Sequence, residues 1–268
     1  MISHNSAQAY WDRAADAYDA GFAETTIGRA EREAVWLELH RIFHSGQRIL
    51  ELNCGTGIDA VHLASSGVQV LACDIAPRMI EIARERALSS GLEERIEFRV
   101  LATEDISALS NQAPFDGVFS NFAGLNCAED LGGVARTLTR LLKPTGRALF
   151  CMLGRFVPWE TAWSLLHCNL RQALPRFARG VTVGHCGSGG EVRVHYPSVR
   201  AVCRLLAPEF ELREWKGIGV TLPPAYLESW ARRFPRTLDG LARIDQRLGR
   251  LPLLRRMADL VLLQFERL

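Results

Sequence analysis

The run ILEL (49–52) opens into NCGTG (53–57) and then into IDAVHLASS, whose apolar residues recur at helical spacing. Glycines at 55 and 57 let the backbone turn tightly and let a ligand approach it, because no Cβ stands in the way. The helix that follows begins with N–H groups that no helical carbonyl satisfies. Asp74 ends the next apolar run, VQVLACD, seventeen residues after Gly57, where its carboxylate can accept from both hydroxyls of a ribose. Jointly, these residue types in this order point to the nucleoside half of a cofactor. Taken singly, the glycines suit an ordinary strand-to-helix turn and the aspartate a helix cap. Nicotinamide dinucleotide proteins share the layout, and Ala60 stands where their third glycine would be, but the chain has no Tyr-x-x-x-Lys pair for hydride chemistry.

A second group of residues could move a proton. His167, His185, His195 and Tyr196 follow the regular part of the chain, where a general base for an acceptor would stand, although a lone histidine more often packs or faces water. His195 is the preferred catalytic candidate. The cysteines at 54, 73, 127, 151, 168, 186 and 203 are odd in number and form no Cys-x-x-Cys pair, so no disulfide framework and no metal site is expected.

The elements that must position these residues alternate regularly over 46–153. RILEL, VQVLACD, IEFRVLA (96–102), FDGVFSN (115–121) and RALFCML read as five strands. Between them IDAVHLASSG, PRMIEIARERALSSG and LGGVARTLTRLLKPTG (131–146) read as helices, the last closed by Pro144 and Gly146. Crossover rules make this a parallel, doubly wound α/β sheet with its ligand crevice at the carboxyl ends of the strands. Two helices precede it in residues 1–45. After it, 158–174 reads as a helix, 180–197 as a hairpin around CGSGG, 198–208 as a helix, and 210–218 and 260–268 as a sixth and a seventh strand. One domain over 1–268 is expected, with 154–197 and 217–258 as insertions capping the substrate.

With 48% hydrophobic and 23% charged residues the composition is that of a folded globular chain. A net charge of +2 gives no electrostatic reason to expect nucleic acid. No stretch reaches the length of a membrane span and the first residues do not form a signal peptide, so a cytoplasmic protein is expected. The exception to the even charge is the arginine-rich stretch with Arg232, Arg233, Arg236, Arg243, Arg247, Arg250, Arg255 and Arg256. It reads first as a solvated helix face and second as a grip on an acidic substrate or a phosphate surface. Its apolar residues, Trp230, Phe234, Leu238, Leu241 and Leu248, suit closure of a pocket or a homodimer contact.

E-x-N-C-G-T-G is similar to the E/D-x-G-x-G-x-G motif of class I S-adenosylmethionine-dependent methyltransferases, with Asn53 in place of the first glycine. YWDRAADAYD resembles the lid helix of their small-molecule members, which implies that Tyr10 and Tyr18 fold over the cofactor. DIAPRMIEIAR resembles their second-strand segment, with Asp74 on the ribose, Ile75 beside the adenine, and Met79 at the motif's methionine. ATEDI matches the adenine-contacting loop, where Leu101 and Ala102 replace the usual Gly-Asp, so that Thr103, Glu104 and Asp105 become the candidates. FDGVFSNFAGLN resembles the fourth-strand motif and implies that Ser120 and Asn121 lie near the methionine moiety, whose ammonium Glu51 reaches through water. The resemblance implies a Rossmann-like, mostly parallel seven-stranded sheet with an antiparallel last strand. It further implies S-adenosyl-L-methionine as cofactor and methyl transfer to a small, lipophilic acceptor. The alternatives are a nucleic-acid methyltransferase, whose Asn/Asp-Pro-Pro-Tyr motif the chain lacks at SNFA, and a catalytically silent binding or scaffold protein that keeps the fold.

Overall fold

A computed structural model describes residues 4–112, 114–158, 181–184 and 192–268. Two helices, α1 (His4–Tyr18) and α2 (Thr26–Ile42), are joined by one wide turn at Asp19–Ala23 and precede the first strand. Thr25 starts α2 by accepting a 3.0 Å hydrogen bond from the Gly28 N–H through its side chain. Then come β1 (Arg48–Leu52), α3 (Ile58–Ser65), β2 (Gln69–Asp74), α4 (Pro77–Ser89), β3 (Ile96–Val100), β4 (Phe115–Ser120), α5 (Leu131–Leu141) and β5 (Leu142–Leu153). Pro77 opens α4 at a position whose N–H needs no partner.

The first five strands are parallel, in the order β3-β2-β1-β4-β5. Two more complete the sheet: β9 (Leu260–Arg267) pairs antiparallel with β5 and with β8 (Phe210–Ile218), giving β3-β2-β1-β4-β5-β9-β8. Buried strand residues alternate between two cores. Ile49, Val70, Phe98 and Phe119 meet α2, α3 and α4 on one face. Leu50, Leu71 and Val118 meet α5 and α6 (Val199–Leu206) on the other. The expected fold class is therefore the observed one, with strand ends opening at a single edge.

Several boundaries differ from the sequence reading. The α5 helix ends at Leu141, not at Gly146, because the residues before Pro144 are driven out of helical conformation and Leu142 already takes extended angles. The KPTG stretch becomes a bulge that shifts the β4–β5 register between Phe115 and Gly117. The two hairpin arms are β6 (Val181–Gly184) and β7 (Val192–His195), paired antiparallel. The CGSGG turn and the helix expected at 158–174, beyond Pro158, fall outside the described residues, as do His167 and His185. The arginine-rich insertion carries α7 (Glu228–Arg233) and α8 (Pro235–Leu248). Among the described residues no helix is long and apolar enough to cross a membrane.

A nucleoside-shaped candidate site at the strand ends

After β1 the backbone takes left-handed angles at Asn53 (φ 56°), Gly55 (φ 52°) and Gly57 (φ 76°). Asparagine is among the few side chains that tolerate this region, which explains its presence where a glycine is usual. Asn53 also contributes bonds that glycine could not. Its Oδ1 accepts from Thr103 Oγ1 at 3.1 Å and from Ser120 Oγ at 3.3 Å, tying together the ends of β1, β3 and β4. A Cβ on Gly57 would stand 2.7 Å from that of Ala83, so this glycine serves the packing of α3 on α4.

Asp74 closes the same turn from β2. Its Oδ2 accepts from the Gly55 N–H and its Oδ1 from the Ala76 N–H, each at 2.9 Å. Burial pushes its carboxyl above the usual range, against the pull of the backbone N–H groups of Ala76, Gly55 and Ile75. Each carboxylate oxygen has a further lone pair for a hydroxyl donor.

Above these turns lies a cavity of ≈ 340 Å³. Tyr10, Tyr18, Asn53, Gly55, Asp74, Ile75, Met79, Thr103, Glu104 and Asn121 all line it. Over it, α1 lays an edge-to-face row, Tyr10–Trp11 at 5.0 Å and Trp11–Tyr18 at 6.4 Å, continued by Phe22 and by Phe122 from the β4 turn. The row is fixed by polar ties: the Arg78 N–H donates to Asp12 at 2.7 Å, Thr56 Oγ1 donates to Asp19 at 2.6 Å, and Arg86 pairs with Asp19. Burial pushes the Tyr18 hydroxyl up to about 12 and the Cys127 thiol to about 12, so both stay protonated at neutral pH.

Beside the cavity is a buried charge cluster. Asp59 accepts from Arg32 Nη1 (2.5 Å), Trp36 Nε1 (2.6 Å) and Asn121 Nδ2 (3.0 Å), while Asn121 Oδ1 accepts from the Phe122 N–H at 2.9 Å. The Arg32 guanidinium lies 4.5 Å over the Phe122 ring. Two atoms of opposite sign are left over: among the described residues, Arg32 Nε and Glu51 Oε2 are buried with no hydrogen-bond partner. Burial, with help from Asp59 and Asp74 and against Arg32, pushes the Glu51 carboxyl well above its ordinary range.

Five expected site residues do not line the cavity. Glu51 and Ser120 are 1% and 0% exposed, on the strands beneath the turns. Gly57 faces α4, and Asp105 is exposed on the turn after β3. Val192, Arg193 and Val194 line the cavity from β7, but His195 does not. The His195 carbonyl accepts from Asn126 Nδ2 at 2.6 Å, and its Nε2 is buried without a partner among the described residues.

Sequence reasoning missed Trp11, Phe122, Ala123 and the Arg32–Asp59 pair. Charges on a helix read as its solvent face, yet Arg32 occupies the buried stripe one turn before Val35 and Leu39. The positive φ of Phe122 (41°) and Ala123 (65°), strained for such side chains, has no signature in their residue types.

Residues 49–146 match a family model described as a methyltransferase domain. The ubiquinone biosynthesis O-methyltransferase of Xylella fastidiosa (strain 9a5c) is 35% identical over 115 residues, 43% of this chain and 45% of that protein. The chain thus spans under half the length of that relative. The fold matches the CcbJ methyltransferase of Streptomyces caelestis with a TM-score of 0.62, at 17% identity over 96% of this chain and 97% of that one. It also matches a putative S-adenosylmethionine-dependent methyltransferase of Listeria monocytogenes (TM-score 0.58, 18% identity, 88% and 99% of the two chains). The glycine turn and Asp74 thus lie within the segment that matches a methyltransferase domain, and the fold around them is the one these methyltransferase structures share.

Proposed function

We propose that this chain binds S-adenosyl-L-methionine across the ends of β1, β2 and β4 and transfers its methyl group to a small, lipophilic acceptor. The observation that carries this reading is a buried pair of groups, Glu51 Oε2 and Arg32 Nε, that have no hydrogen-bond partner among the described residues and act on one another electrostatically. An orphaned carboxylate oxygen and an orphaned guanidinium N–H complement an α-ammonium and an α-carboxylate, which the sulfonium cofactor has and a nicotinamide dinucleotide does not. Glu51 reaches the ammonium through water. Asp74 takes the ribose hydroxyls, Ile75 and Met79 the adenine faces, and Thr103 and Glu104 its polar edge.

When bound, the sulfonium supplies an activated methyl carbon, which an acceptor lone pair takes as the carbon–sulfur bond breaks. The protein's task is alignment and exclusion of water. The row of Tyr10, Trp11 and Tyr18 closes the cofactor side, and Phe122, Leu153, Val192 and Val194 wall the acceptor side with apolar surface, Arg193 standing between the two valines. We assign the acceptor's proton to His195, which follows the lining residue Val194 and whose Nε2 has no hydrogen-bond partner among the described residues. The relatives' printed role in ubiquinone biosynthesis O-methylation makes an oxygen on a lipophilic molecule the first acceptor to screen. The five free thiols among the described residues suit a reducing compartment, and we place the reaction in the cytoplasm.

Calorimetric titration of S-adenosylmethionine, S-adenosylhomocysteine and NADH into wild type and Asp74→Asn tests the site. The first two bind and NADH does not. The substitution weakens them about 10- to 100-fold, the loss of hydrogen bonds to a charged acceptor. Uptake of NADH alone, or of none of the three, would overturn the reading.

A further inference from the structure

Arg233 lies against the Phe234 ring, and the other seven arginines of the insertion divide into two sets. Arg232 pairs with Glu228, Arg250 with Glu38 and Glu214, and Arg255 stacks 3.9 Å over Trp215 while donating to its carbonyl. Arg236, Arg243, Arg247 and Arg256 make no ion pair among the described residues, and all four are exposed. On α8 the first three stand at i, i+7 and i+11, within about 40° of one another and along about 16 Å of helix. They form the outer ridge, because Leu238 and Asp245 occupy the opposite, buried side.

A single acid offsets part of this ridge. Of the three in 228–257, Glu228 accepts from the Thr26 and Ile27 N–H groups and Asp245 from those of Gly219 and Thr221, leaving Asp239 alone on the exposed side. Large apolar side chains stand in water around it: Phe234 (43% exposed) before α8, Ile244 (49%) on it, and Leu251 (48%) and Leu253 (72%) after it. Unpaired cations interleaved with exposed apolar groups are the two halves of an interfacial binding surface, where guanidinium groups meet phosphate and apolar groups enter the acyl boundary. Nucleic acid would explain the arginines but not Leu251 and Leu253, which are aliphatic and cannot stack on bases.

Position strengthens the case. The Gly219 N–H, just past β8, donates to Asp245 at 2.9 Å, so α8 sits at that end of β8. Ile218 lies across from Leu260, and Leu260 across from Leu153, the cavity-lining end of β5. The arginine ridge and the cavity thus belong to one edge of the sheet.

We infer that α8 and the segment following it dock this protein on the anionic phospholipid surface of a bilayer, holding the acceptor side of the cavity toward the lipid. The docking itself is read from α8 without methyl transfer, whereas the facing of the acceptor side rests on the proposed function. The experiment is flotation of the full chain with vesicles of phosphatidylcholine alone and with about one third phosphatidylglycerol, alongside an Arg236→Gln/Arg243→Gln/Arg247→Gln variant and a Leu251→Ser/Leu253→Ser variant. Wild type floats with the anionic vesicles only, and added salt weakens it. The triple variant binds roughly 100-fold more weakly, about fivefold per arginine. The serine variant is weakened too but keeps the salt dependence. Both variants have wild-type circular dichroism and cofactor affinity. Binding to neutral vesicles as strong as to anionic ones overturns the inference. So does a triple variant that floats like wild type, single-stranded RNA bound more tightly than the vesicles through the same arginines, or a dimer that the triple substitution dissolves.

Discussion

Glu51 is a buried acid held beneath the turn that its own strand opens into. Its carboxylate is 1% exposed, and one oxygen has no donor among the described residues. A carboxyl whose folded value lies above its unfolded value stabilises the fold fully only below the unfolded value, here 4.5. That contribution is lost as pH rises through the raised folded value. Glu51→Gln therefore raises the melting temperature of the ligand-free protein at neutral pH by about 2–4 °C, removes the loss of stability that Glu51 causes as pH rises above 4.5, and weakens S-adenosylmethionine binding. Melting curves across pH with calorimetry check all three, and a destabilised variant that binds the cofactor normally would show that Glu51 has its partner within the protein. The acid of the motif was legible in the sequence. Its lack of a partner was not, since that depends on Arg32 spending its Nη1 on Asp59, twenty-seven positions away along the chain. Asn53 was legible as a departure from a glycine pattern, but its side-chain bonds to Thr103 and Ser120 exist only once three strand ends meet.

At the scale of elements, strands and helices of the parallel half were readable because each is a single apolar run or stripe bounded by glycine, proline or a capping side chain. The end of α5 was misread because Pro144 acts two residues ahead of itself. The β6–β7 hairpin was readable as two alternating arms, but nothing in its residues says where it docks. Asn126 decides that: it is fully buried, donates to the His195 carbonyl at 2.6 Å, and accepts from the Leu153 N–H at 3.0 Å. It pins the hairpin to the end of β5 with one side chain. Asn126→Ala leaves one carbonyl and one N–H unpaired and costs about 1–3 kcal/mol in urea unfolding, with faster hydrogen exchange at Val192–His195 than elsewhere in the sheet. Uniformly faster exchange would mean that Asn126 supports the core and not the hairpin.

For the molecule as a whole, the cavity joins parts that are far apart in sequence: α1, the turns after β1, β2 and β4, and β7. A ligand that bridges them stabilises the folded state alone. At one hundred times its dissociation constant S-adenosylmethionine adds about 2.7 kcal/mol, which for a chain of this length raises the melting temperature by about 5 °C. NADH at equal concentration leaves it unchanged, and a scanning calorimeter distinguishes the two outcomes directly.

The strand order carries one more consequence, for the moment of synthesis. β9 is the last of the seven sheet strands to be made, yet it lies between β5 and β8, which are made before it. While the nascent chain is still threaded through the ribosome, β5 presents a bare edge and β8 has no strand to join. The parallel half, Arg48 to Leu153, has all its strands by then, but the sheet cannot close until Leu260–Arg267 clears the exit tunnel and slides into the gap.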